Sequence, residues 1–290
     1  MSKILFLAII FYSSISFSQM KKPQLETIVD ISIRGAEGDT IYYKFDNGKL
    51  KTKREGTRNT TFYNYNSKGL VEKQSRVFDD GVSYDISYSY NEEGYLTELV
   101  ESKKESQATQ SIPWHKITFT YTFTDPKNFI ANESSEYLDN PRMDKTFRSY
   151  TMKDNLLITT DKSGKFYTEM KYKFENGNTI ECEKIKPSGE NYILEYDFDN
   201  KENLYKLLFE NLFGDKYFVN QMVSRGDITN HYTAYTNQNN CISIRKIKSK
   251  KIAFSENKGI AVYNNENLPT EIKTSTEPGF GYLIKATYKN

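Results

Sequence analysis

Strict two-residue alternation constrains this chain more than any other feature. In residues 84–99, YDISYSYNEEGYLTEL, Tyr84, Ile86, Tyr88 and Tyr90 share one parity, and Asp85, Ser87 and Ser89 the other. That period puts the aromatics on one face of a half-buried strand and the polar residues on the opposite face. Asn91-Glu92-Glu93-Gly94 supplies a turn, and Leu96 to Leu99 begins a returning strand. The same parity recurs at Ile117, Phe119, Tyr121 and Phe123, at Tyr192, Leu194, Tyr196 and Phe198, and at Tyr282, Ile284, Ala286 and Tyr288.

The turns repeat as well. Asn66-Ser67-Lys68-Gly69, Asn91-Glu92-Glu93-Gly94, Asp125-Pro126-Lys127-Asn128, Asp161-Lys162-Ser163-Gly164 and Asn264-Asn265-Glu266-Asn267 share an Asn/Asp-x-x-Gly/Asn form. Asn or Asp at the first position bonds the backbone two residues on, and the fourth position wants φ above zero. Shorter versions stand at Asp46-Asn47-Gly48, Asp79-Asp80-Gly81 and Glu175-Asn176-Gly177. Tyr65 to Tyr90 and Gly69 to Gly94 are each 25 residues apart, a spacing of stacked supersecondary units. The expected fold is all-β: consecutive antiparallel β-hairpins in one large curled or barrel-like sheet.

One segment departs from that rule. In residues 203–213, Leu204, Leu207, Leu208 and Leu212 follow a 3.6-residue period, and Gly214 is placed as a stop. One short amphipathic helix, lying on the sheet or plugging an end, is expected there.

Residues 1–18 read as a cleaved export signal: Lys3, an apolar run from Ile4 to Tyr12, and small residues before Gln19. Residues 19–290 then form one repetitive β domain, with a subdivision or a long hairpin loop at the polar run 102–112. No later stretch is apolar enough for a membrane helix. A transmembrane β-barrel would need an apolar outer face, whereas here the second face is Ser, Thr, Lys, Asp and Glu. The formal net charge is +2, which gives no sign of a nucleic-acid partner.

The units YNYNSKGLVEK and YSYNEEGYLTEL resemble the YD-type (RHS-like) repeats of secreted bacterial proteins. Asn203 leading into Leu204, and Leu268-Pro269-Thr270-Glu271-Ile272 near the end, are similar to a domain of unknown function in exported Bacteroidetes proteins. The resemblance implies an extensive antiparallel sheet, curled or barrel-like, in a periplasmic, surface or extracellular protein. It transfers no catalytic residue.

Chemistry-bearing constellations are few. His115 and His231 are the only histidines, too few for a zinc cluster with the usual spacing. No G-x-S-x-G elbow is present. Asp197-Phe198-Asp199 opens like a calcium loop, but Lys201, Glu202 and Leu208 occupy positions where such a loop needs other residues, and a plain turn is expected. No metal or cofactor is expected. Cys182 and Cys241 leave two readings open in an exported chain: a disulfide closing about 60 residues, or two separate buried thiols. Lys49, Lys51 and Lys53, like Lys246, Lys248 and Lys250, read as a solvated face or as charges that blunt a sheet edge. Trp114 with Tyr88, Tyr90 and Tyr121 is the candidate ligand platform. The expected function is a non-enzymatic exported binding or scaffold module for glycan or protein. A carrier of an apolar ligand inside the curled sheet is the alternative.

Overall fold

The computed structural model describes residues 24–34, 37–125, 127–140, 142–163, 166–185, 192–224, 237–248, 251–257, 260–277 and 280–289. The expected export signal, Gly164, His231 and Lys250 lie outside these residues.

Among the described residues, nineteen strands form one sheet. The first are β1 (Gln24–Arg34), β2 (Glu37–Asp46), β3 (Lys49–Glu55), β4 (Asn59–Tyr65), β5 (Val71–Phe78) and β6 (Ser83–Tyr90). Then come β7 (Leu96–Lys104), β8 (Ile112–Asp125), β9 (Asn128–Tyr137), β10 (Thr146–Lys153), β11 (Leu156–Ser163) and β12 (Phe166–Glu175). After β13 (Asn178–Ile185) and β14 (Tyr192–Glu202) the chain leaves the sheet for two helices, α1 (Leu204–Phe213) and α2 (Tyr217–Val223). It returns as β15 (Asn239–Lys248), β16 (Lys251–Asn257), β17 (Ile260–Tyr263), β18 (Pro269–Glu277) and β19 (Phe280–Lys289).

Each strand pairs antiparallel with its sequence neighbours, and β1 pairs with β19 as well as β2. The two ends of the described chain therefore meet, and the sheet curls round on itself. The polar run 102–112 takes in the end of β7, a short hairpin connection and the first residue of β8: Ser102 of β7 sits opposite Pro113 of β8.

The turn chemistry explains the register. Asn66 Oδ1 accepts from the Lys68 and Leu70 amides, both at 3.0 Å, while Gly69 takes φ +75°. Asn91 Oδ1 accepts from Tyr95 N at 2.9 Å, and Gly94 takes φ +89°. Asn264 repeats this with Asn267 at φ +60°. Two expected turns differ. Asn128 does not enter the left-handed region. Asp161 lies within β11, where Arg148 Nη2 reaches its carboxylate at 2.5 Å. The 197–199 segment is likewise strand, not turn, because β14 continues to Glu202.

After these turns the returning strand carries one extra residue. Phe45 pairs with Leu50 and Lys44 with Thr52, so Lys51 is left over. Tyr65/Val71 and Tyr90/Leu96 repeat the irregularity, with Glu72 and Thr97 left over. Such a bulge disrupts the ladder, and buried backbone groups there need other partners. Tyrosine hydroxyls supply them: Tyr65 donates to Leu50 O (2.8 Å), Tyr90 to Val71 O (2.6 Å) and Tyr121 to Leu96 O (2.6 Å). Tyr288 does the same for Pro269 O at 2.9 Å. Burial pushes these four phenols well above their ordinary range, so they stay protonated donors. The recurrent tyrosine thus completes the bulge at the start of the preceding strand.

The helices seal the end of the curl where these turns lie. Asn203 caps α1 by accepting from Tyr205 N at 2.9 Å, and Gly214 ends it at φ +62°. That matches the expected single helix. The second helix, α2, has no side-chain cap and was not expected. Leu204, Leu208, Phe209, Leu212, Phe213, Met222 and Val223 are buried in the core. Asparagine amides pin the plug to the bulges. Asn220 Oδ1 accepts from Leu96 N (2.8 Å) while its Nδ2 donates to Gly94 O (2.9 Å). Asn211 makes the same pair with Leu50 N (2.7 Å) and Gly48 O. Asn237 accepts from Thr179 N at 2.6 Å, two residues past Gly177.

The two readings left open for the cysteines resolve to one, and the expectation for the first lysine strand is corrected. Cys182 and Cys241 are free thiols. Cys182 on β13 faces Leu194 of β14, while Cys241 on β15 faces Phe198. Two strand spacings are roughly 9–10 Å, beyond the Cα separation a disulfide spans. Burial pushes the Cys182 thiol up to about 12, so it is an inert core thiol. Nor do Lys49, Lys51 and Lys53 share one face. The bulge at Lys51 turns Lys53 inward, 4 % exposed, and Lys49 Nζ reaches Gly69 O (2.7 Å) and Asn211 O (3.1 Å). Lys246 lies over the Tyr192 ring at 4.4 Å.

Candidate functional site

The inward face changes character along the strands. Toward the helices it is apolar; toward the opposite rim, where the turns after β5 and β7 lie, it carries ionisable groups. Inward parity puts them there once the bulges are counted.

On β1 to β5, Lys53 Nζ pairs with Glu55 Oε1 at 2.5 Å, and Arg76 Nη2 with Glu55 Oε2 at 2.6 Å. Burial would raise the Glu55 carboxyl, but these cations and Asn59 outweigh it and hold it below the usual range. Asp30 is different. Burial outweighs the attraction of Lys53 and pushes its carboxyl up to about 6, and its Oδ1 is buried without a hydrogen-bond partner. A carboxyl with a raised folded value stabilises the fold fully below the unfolded value of 3.8, and this is lost as pH rises through 6. Asp30→Asn is therefore expected to stabilise the protein by about 2 kcal/mol at pH 8 and by almost nothing at pH 4. Urea denaturation at the two pH values checks this; equal effects at both would contradict it.

On β7 to β11 a second network continues the band. His115 Nδ1 lies 3.1 Å from Glu101 Oε2, and its Nε2 lies 2.8 Å from Ser135 Oγ. Glu101 Oε2 accepts from the ring N–H at Nδ1, and Nε2 meets the Ser135 hydroxyl. Beyond it, Tyr150 donates to Glu133 Oε2 at 2.8 Å, and Arg148 bridges Glu133 (3.4 Å) and Asp161 (2.5 Å).

Between the two networks lies a half-open cleft of 370 Å³, lined by Gln74, Arg76, Phe78, Tyr84, Asp85, Ile86, Glu101, Ser102 and Trp114. Trp114 stacks on His115, with centroids 5.3 Å apart, and lies 5.9 Å from Tyr137. Its Nε1 is buried and has no hydrogen-bond partner. Glu101 uses Oε2 on His115. Burial would raise the Asp85 carboxyl, yet Lys73 at 2.9 Å and the hydroxyls of Ser75 and Ser111 hold it below the usual range.

The expected platform does not assemble. Tyr88 is buried, its ring edge-on to Phe213 at 6.2 Å and its hydroxyl on Gln74. Tyr90 and Tyr121 stand at the sealed end, completing bulges. Only Trp114 reaches the cleft. Sequence reading missed Glu101, Arg76 and Gln74, because uninterrupted parity assigns charged residues to the outer face. The available signal was a one-residue slip between Leu96 and Leu99, both fully buried.

The network 101–115–135 has the order carboxylate, imidazole, hydroxyl of a serine hydrolase. Its placement differs from that of an active site. Ser135 is 2 % exposed and is not among the cleft residues, so no substrate carbonyl reaches its Oγ from the cleft. Among the described residues no group of three or more His, Cys, Asp or Glu could hold a metal ion, and no helix is long and apolar enough to cross a membrane.

No family model matches the chain, and no curated protein matches its sequence. Two solved porin-like proteins, from Bacteroides uniformis and Bacteroides vulgatus, are similar to it at 12 % and 11 % identity. They cover 91 % and 92 % of this chain and 98 % and 99 % of their own, at a TM-score of 0.42 in both cases. So loose a likeness carries no argument about what this chain does.

Proposed function

We propose that this chain is an exported, non-enzymatic binding module. Its ligand, a glycan or an exported protein segment, enters the cleft beside Trp114. The observation that carries the reading is the half-open cleft itself, which brings the Trp114 ring together with Gln74, Arg76 and Glu101. Sealing one end of the curl with helices leaves the opposite rim as the way in. Outward residues of the sheet such as Thr120, Ser87 and Ser89 are exposed and polar, which suits an aqueous compartment.

A carrier of an apolar ligand has less support. The apolar half of the inward face is occupied by Phe209, Leu208 and Met222, and the open half bears Arg76, Glu101 and Gln74.

The non-enzymatic part is tested at Ser135. A fluorophosphonate probe on the native full chain should leave Ser135 unmodified, since the hydroxyl is shut away from the cleft. Stoichiometric labelling of Ser135, abolished by His115→Ala, would overturn it.

A further inference from the structure

We infer that the cleft beside Trp114 takes an uncharged saccharide of one or two pyranose rings; this rests on the binding-module reading above and narrows its ligand. Three observations converge. First, the free polar group suits hydroxyls. Glu101 uses Oε2 on His115 and keeps Oε1 clear of it. A carboxylate oxygen accepts from a sugar hydroxyl.

Second, the charges select against ions of either sign. Arg76 is matched by Glu55 and Asp85 by Lys73, and the Glu101 carboxylate sits against the His115 ring at 3.1 Å. That carboxylate repels an acidic sugar. A cationic ligand would seek the aromatic faces, but two of them already carry cations: Arg76 lies over Phe78 at 5.3 Å and Lys103 over Tyr84 at 6.0 Å. Trp114 lies in the cleft with an aromatic body for the C–H face of a pyranose.

Third, the volume of 370 Å³ sits near the lower end of the roughly 300–1,000 Å³ range of small-molecule clefts. It holds one or two rings and not a longer oligosaccharide.

The test uses the fact that Trp114 is the only tryptophan, so intrinsic emission reports this cleft alone. The full mature chain is titrated by calorimetry and by fluorescence with glucose, galactose, mannose, maltose and lactose. Glucuronate, galacturonate, glucosamine and extended peptides of exported proteins form the comparison set. Saturable binding of at least one neutral sugar with a change in emission, at least tenfold tighter than its uronate and amino counterparts, is the expected result. Trp114→Phe replaces the indole with a smaller ring and shrinks the stacking face; it should weaken binding at least tenfold by calorimetry while the thermal transition stays in place. Tighter binding of a uronate, an amino sugar or a peptide at Trp114 would overturn the inference and leave the binding-module reading standing. Binding that leaves emission and the Trp114→Phe affinity unchanged would overturn both, because the ligand would sit elsewhere. No binding by any neutral sugar would overturn the inference.

Discussion

Arg148→Met should destabilise the protein by about 3–5 kcal/mol, the range for removing one partner of a buried ion pair. Arg148 stands between Glu133, whose side chain is 1 % exposed, and Asp161. Without the guanidinium, the buried Glu133 carboxyl loses its counter-charge and keeps the Tyr150 hydroxyl. The loss therefore comes from a stranded carboxylate and not from missing attraction alone. Adding Glu133→Gln should recover most of it, since the stranded charge is gone. A double-mutant cycle by urea denaturation measures the coupling. Equal losses in the single and double variants would show that Arg148 acts by packing, and would remove the ionic band from the account of the interior.

Asn220→Leu is expected to cost about 2–4 kcal/mol. The side chain is fully buried and its amide holds two backbone groups, Leu96 N and Gly94 O. Leucine has similar bulk but leaves both groups unsatisfied at about 1–3 kcal/mol each. The effect should also be local in origin: amide exchange at Leu96 should accelerate before global unfolding does, because the bulge loses its anchor to the plug. A thermal transition unchanged within 1 °C would mean that the helices rest on the sheet without being pinned to it.

These two residues mark what the sequence discloses and what it hides. Alternation at Tyr84, Ile86, Tyr88 and Tyr90 located β6 because a period of two is a local property of the backbone. Asn66, Asn91 and Asn264 announced hairpins because an Asx turn forms within its own residues. Asn203 and Gly214 bracketed α1 for the same reason. Segment 217–223, YFVNQMV, hid α2 because it lacks a capping side chain and is held by burial against the sheet, which is a tertiary effect.

The polar interior was hidden by the bulges. Each adds one residue after a sealed-end turn, so Lys53 and Glu101 exchange the face that uninterrupted alternation would give them. The tyrosines at 90 and 121 read as a binding surface, whereas their hydroxyls, like that of Tyr65, complete those bulges. Trp114 was legible as a candidate because it is alone; its neighbours Arg76, Gln74 and Glu101 come from β5 and β7 and are assembled only by strand pairing.

The central claim is that one end of the curled sheet is sealed and that ligand is held at the other, beside the sole indole. The most direct measurement is a ¹H–¹⁵N NMR titration of the labelled chain with a bound ligand found by the titrations above. The account predicts that the single indole Nε1–H resonance shifts together with the amides of Glu101 and Ser102, while Leu50 and Leu96 at the sealed end stay in place. A bound state in which the indole resonance does not move, and the shifts gather instead on exposed outward residues such as Phe62, Tyr42 and Ile130, would contradict it.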